Sequence, residues 1–240
     1  MNQFKAPAKR KVDIVLSLAL GAIASVVFFS TLAQYAFPGE SARLMAVWRG
    51  LDMSAANQSV LMGFFAKMLG GGNLIAPICG VVSTVLLYVL VRFFVRERVR
   101  GEQTSSFDLV IARIAATTAA LVYIFTPAVH EAATHIEPRM FDFTWLLVAF
   151  AFIIPIAKGS TIVKQLFVLL SGVMFGLGLC DSAVFLMMGP VFLVLIIVSS
   201  LKRGEKPYLA ATFFVLIALV AYLFGIKAFD VPLASSLRML

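Results

Sequence analysis

An all-α, polytopic membrane fold is what this sequence predicts, and three observations predict it. Apolar residues make up 61% of the 240 and charged residues 13%; long apolar runs recur along the chain; and the basic residues cluster between those runs. Ordinary soluble domains run at roughly 45–50% apolar and about 25% charged. With a mean hydropathy of +0.99 the chain has too little polar surface to clothe a water-soluble body, so lipid is its main solvent. In a soluble protein a net charge of +8 would point to nucleic acid. Placed between apolar runs it reads as topology instead, and no nucleic-acid partner is expected.

A spanning helix needs about 20 mostly apolar residues to cross about 30 Å, and seven segments come near that standard. The first, Val12–Phe37, follows Lys5, Lys9, Arg10 and Lys11. It is too long for a secretory signal and lacks an A-x-A cleavage site before Pro38, so it reads as a retained signal-anchor helix. Leu74–Val95 and Leu109–Val129 come next, and then Phe143–Ala157, a shorter run with Pro155 near its end. Ile162–Leu179, Ala183–Leu201 and Tyr208–Phe229 complete the set, and residues 1–240 read as a single membrane domain. Cys79 and Cys180 sit in or beside apolar runs, where small buried hydrophobes are expected rather than a disulfide or a metal site.

Placing the N-terminus in the cytoplasm puts 14 of the 20 basic residues on that side with 5 of the 12 acids. This is the orientation that the positive-inside rule selects. Two connections on the outer face are then longer than a spanning chain needs: a first outer loop, 38–73, and a second, 130–142. In the first, Ser41–Arg49 and Ser54–Leu69 carry apolar residues at helical spacing, for example Val60, Phe64, Phe65 and Met68. They read as short amphipathic helices lying in the interface, the second ended by Gly70–Gly72.

Four outer carboxylates, Glu40, Glu131, Glu137 and Asp142, form the one candidate cluster for chemistry. Two plainer readings compete with it: loop acids at a membrane surface are commonly just solvated, and Glu40 with Ser41 is placed to cap a helix. The stretch His130-Glu131-Ala132-Ala133-Thr134-His135 misses the zinc-protease spacing by one residue. Histidines five apart on a helix point about 140° away from each other, so no metal is expected there. No cofactor fingerprint is present in the sequence. Arg113 reads as a residue snorkelling to the cytoplasmic surface, and Asp181 as a helix-end polar residue or an intramembrane ion ligand.

Two stretches resemble a known family. Phe37-Pro38-Gly39-Glu40-Ser41 follows the first span, and the loop it opens ends in Phe65-Ala66-Lys67-Met68-Leu69. This is similar to the P-G-[DE]-S opening of the first loop in bacterial protein O-mannosyltransferase-like proteins, a group of C-type (GT-C) integral membrane glycosyltransferases. Thr126-Pro127, then Glu137, then Asp142 before Phe143-Thr144-Trp145-Leu146-Leu147, resembles that group's S-P…A-E-x-Y-x-L-N region in spacing. The likeness covers roughly residues 12–155. It departs where Arg43 replaces a second acid and where Ala55–Val60 replaces an H-P-P-G-Y-P-like stretch.

The resemblance implies a polyprenyl-phosphate-linked sugar as donor and a hydroxyl acceptor on the outer face, protein Ser/Thr or a glycan, in the bacterial inner membrane. It casts Glu40 as the base that takes the acceptor's proton, with Glu137 and Asp142 orienting acceptor or base. Arg43 and Arg139 become candidates for the phosphate, with Glu131 beside them among the substrate-binding residues. Two rivals remain. One is a non-catalytic or truncated transmembrane scaffold of a larger transferase, in which the outer acids pair with arginines. The other is a small transporter, suggested by Gly172, Gly176, Gly178 and Gly189-Pro190, although small residues also simply allow close helix packing.

Overall fold

A computed structural model describes residues 6–32, 60–68, 74–99, 106–135, 138–202 and 204–228, together with Ala42 and Ala46. Among these residues every regular element is a helix. In chain order they are α1 (Ala6–Ser30), α2 (Val60–Met68), α3 (Ile75–Val99), α4 (Ser106–Phe125), α5 (Pro127–Thr134), α6 (Pro138–Ala151), α7 (Ile153–Lys158), α8 (Thr161–Asp181), α9 (Val184–Leu201) and α10 (Pro207–Ala228). Seven stretches are long and apolar enough to cross a membrane, α6 and α7 together forming the fourth. The protein is thus all-α and multi-pass, as its composition requires.

Prolines set several boundaries. Pro127 stands at the first position of α5, where its missing N–H costs nothing, so the apolar run through Val129 divides at Thr126 into α4 and α5. Pro138 starts α6 in the same way. The fourth span therefore begins five residues before Phe143, and Asp142 lies inside a helix rather than at the end of a loop. Pro155 would clash with the carbonyl four residues back, at Ala151. The span breaks there: Phe152 N–H bonds to Ala149 O at 3.2 Å, a tightened turn, before the helix resumes as α7.

Two of the interfaces among the described residues show how the bundle is held. On α8, Gly172 and Gly176 bring the backbone of α10 close, and an added Cβ at Gly176 would collide with the Ala218 carbonyl and the Ala221 methyl. This is the close-packing use of small residues. Phe150, Phe175, Phe185, Phe192 and Phe214 interlock beside it, with neighbouring ring centroids 4.9–6.3 Å apart. Around α1, α3 and α4 the second interface buries Leu20, Tyr88, Ala116 and Ala120. Cys79 and Cys180 are both buried free thiols, as expected of small hydrophobes.

At the end of the bundle where α1, α4 and α8 begin, several charges are paired across helices. Asp13 accepts from Arg92 Nη2 at 2.5 Å and from Arg113 Nε at 2.7 Å, pinning α1 to α3 and α4. Arg113 consequently does not snorkel. Lys158 pairs with Glu97 at 3.2 Å, and Lys164 with Glu205.

Candidate functional site

At the opposite end, α5 and the first turns of α6 enclose a cavity of about 310 Å³, whose lining includes Tyr123, Val129, Glu131, Arg139, Met140 and Phe143. Glu131 is on α5 and Arg139 on α6, and both side chains are exposed. The structure thus sets a carboxylate and a guanidinium on one concavity at the bundle end. The wall is rigid: Tyr123 stacks on Phe143 with centroids 5.7 Å apart and donates to Met140 Sδ at 3.7 Å. Its neighbour His130 meets the end of α1, with Nε2 2.9 Å from Thr31 Oγ1. His135 ends α5 in extended backbone, so the two histidines are held apart by different structure as well as by spacing.

Asp142 points elsewhere. At about 100° per residue it is turned a quarter circle from Phe143, and it interacts with Asp181 and Ser182 at the end of α8. Asp181 Oδ1 in turn accepts the N–H of Leu61 at 3.3 Å, in the first turn of α2. A carboxylate at a helix N-terminus is favourably placed against the exposed amides and the dipole there. Asp142 Oδ1 is shut off from solvent and has no hydrogen-bond partner among the described residues.

The helix so anchored, α2, comes from the first outer loop and was expected to lie in the interface. Its two faces differ: Phe64 and Met68 are exposed, while Leu61, Met62 and Ala66 are buried. Phe65 packs against Phe141 and Trp145, and Trp145 Nε1 donates to Met174 O at 2.9 Å, so the loop helix is tied to α6 and α8. The other expected loop helix, Ser41–Arg49, lies outside the described residues apart from Ala42 and Ala46.

Of the six residues that the sequence singles out, Glu40, Arg43 and Glu137 lie outside the described residues. Glu131 and Arg139 come together on the cavity, and Asp142 is one helical turn away from Arg139, facing α8. Sequence reasoning undervalued Asp181, the partner of Asp142. Its signal was present: it is an acid closing a long apolar helix, at the same end of the bundle as Asp142.

Residues 52–205 match the family described as Protein O-mannosyl-transferase TMEM260 N-terminal domain, well over half of the 240 residues. The chain belongs to this family. The matched stretch contains Glu131, Glu137, Arg139, Asp142 and Asp181 and begins after Glu40 and Arg43. No curated protein and no solved structure gives a match. A mannosyltransferase-like membrane protein is therefore the frame in which the bundle end is to be understood.

Proposed function

We propose that the chain is the membrane module of a glycosyltransferase that moves a sugar from a polyprenyl-phosphate donor to a hydroxyl acceptor at the end of the bundle formed by α2, α5 and α6. The observation that carries this reading is the shared cavity of Glu131 and Arg139 beside the half-buried Asp142–Asp181 pair, inside the family-matched segment. Transfer develops positive charge at the anomeric carbon and negative charge on the departing phosphate, while the acceptor hydroxyl loses a proton. Arg139 supplies a guanidinium whose fork can hold two phosphate oxygens, and it does so next to aromatic and apolar wall able to lie along a lipid.

In this reading Glu40 takes the acceptor proton, Arg43 shares the phosphate with Arg139, and Glu131, Glu137 and Asp142 orient the acceptor and the base. This end of the bundle faces out of a bacterial inner membrane, and the end that carries the Asp13, Lys158 and Lys164 ion pairs faces the cytoplasm, which agrees with the basic surplus there. A positioned general base contributes typically 10²–10⁴-fold. Glu40→Gln in the full-length protein is expected to lower mannosyl transfer from polyprenyl-phosphate mannose by at least about 100-fold, with membrane expression unchanged. Transfer at the wild-type rate would remove Glu40 from the mechanism.

A further inference from the structure

A second concavity lies at the other end of the bundle, between the start of α8 and the start of α10. It encloses about 690 Å³ and is lined by Lys164, Gln165 and Lys206 at its polar end and by Val168, Leu209 and Phe213 along its apolar wall. We infer that this cavity binds the phosphate headgroup of an anionic glycerophospholipid, with one acyl chain lying along the apolar wall.

The floor of the cavity is a built polar site. Lys164 is 4% exposed, an expensive burial for an ammonium group in a membrane helix. Its Nζ donates to Ser200 Oγ at 2.9 Å and pairs with Glu205, which uses two of its three donors among the described residues. Ser200 is itself fixed, its Oγ donating to Ile196 O at 2.9 Å, so the lysine is held in one position. The third donor is available to an acceptor arriving in the cavity.

Charge and shape select an anionic amphiphile. Among the described lining residues, Lys164 and Lys206 against Glu205 leave one net positive charge. The two helices whose first turns form the walls, 21 and 22 residues long, both begin here. The cap of α8, Ser160, makes no side-chain bond to the first-turn amides. Both dipoles therefore favour a negative group at the mouth. Below the polar rim, Leu209 is 61% exposed and Phe213 39% exposed on the lipid-facing side of α10, a path for a hydrocarbon tail. Basic pockets between membrane helices are a recurrent way to hold lipid phosphates.

The site is separate from the proposed transfer centre. Lys164 and Asp181 stand at opposite ends of α8, 17 residues apart, which at 1.5 Å per residue is about 25 Å. A lipid bound here would seat the α8–α10 pair and the turn at Gly204, Glu205 and Lys206 without touching the donor.

The test is native mass spectrometry of the protein released from nanodiscs of equal phosphatidylglycerol and phosphatidylcholine. Three forms are compared: wild type, Lys206→Glu, and Lys227→Glu, the last being the same charge change on an exposed residue at the far end of α10. Retained phosphatidylglycerol is expected to exceed phosphatidylcholine about tenfold in wild type and in Lys227→Glu. In Lys206→Glu that preference should be lost, with the thermal midpoint unchanged. Equal retention by Lys206→Glu, or equal loss in Lys227→Glu, overturns the site. Addition of millimolar inorganic phosphate should leave the bound lipid in place; displacement by it would make the ligand a free phosphate and overturn the lipid assignment. Because Lys206 and Lys227 are both exposed, neither substitution disturbs the core, and neither residue belongs to the proposed transfer machinery.

Discussion

Asp13 shows how a single residue can be misread from sequence. Its two partners are 79 and 100 positions away, a separation that no local pattern reveals, so Arg113 looked like a lone cation seeking the membrane surface. In the fold, Asp13 is 8% exposed and answers both arginines, with the fully buried Tyr88 beside them. Both arginines keep some access to water, with side chains 24% and 17% exposed, so losing their shared partner costs about 1.5–3 kcal/mol rather than the full penalty of a sealed charge. Asp13→Ala is therefore expected to lower stability by about that amount, read as a fall in the thermal midpoint of the purified protein in detergent. Distance along the chain likewise hid the pairing of Asp142 with Asp181. Each carboxylate was visible as a rare acid beside a long apolar run, but not as the neighbour of the other.

At the scale of elements, the spans were legible because lipid burial demands long uninterrupted apolar runs, and no turn chemistry competes inside them. Their ends were less so. The apolar run through Val129 concealed the Thr126–Pro127 boundary, and polar Asp142 before Phe143 concealed that Pro138 already starts a helix. The glycines divide by environment in a way that sequence alone left open. Gly176 sits where α8 meets α10, and an added Cβ there has nowhere to go. Gly189, next to Pro190 on α9, has nothing within 4 Å of such an atom. Gly176→Val should destabilise by about 1–3 kcal/mol through overpacking, whereas Gly189→Ala should leave the unfolding midpoint unchanged or slightly raised. Thermal denaturation followed by helical circular dichroism in the same detergent separates the two.

Taken as a whole, the molecule is a bundle with two chemically different ends. One is stitched by ion pairs that involve α1, α3, α4, α7 and α8; the other gathers the loop helix α2, the short α5 and the first turns of α6 around carboxylates and an arginine. The division follows from the sorting of scarce charges along an apolar chain, which is why the side to search was visible in the sequence. The residues that meet there were only partly visible, because the meeting depends on how α5, α6 and α8 pack. If this end performs sugar transfer, its two groupings carry different parts of the work, and kinetics can tell them apart. The deciding measurement is the steady-state rate of mannosyl transfer from polyprenyl-phosphate mannose by the full-length protein with Arg139→Ala and with Asp142→Asn. Arg139→Ala is expected to raise the donor KM at least about tenfold, the loss of roughly one charge-assisted contact. Asp142→Asn is expected to lower kcat with little change in KM. Unchanged KM and kcat in both variants, at normal expression, would contradict a transfer site at this end and leave the bundle as a scaffold.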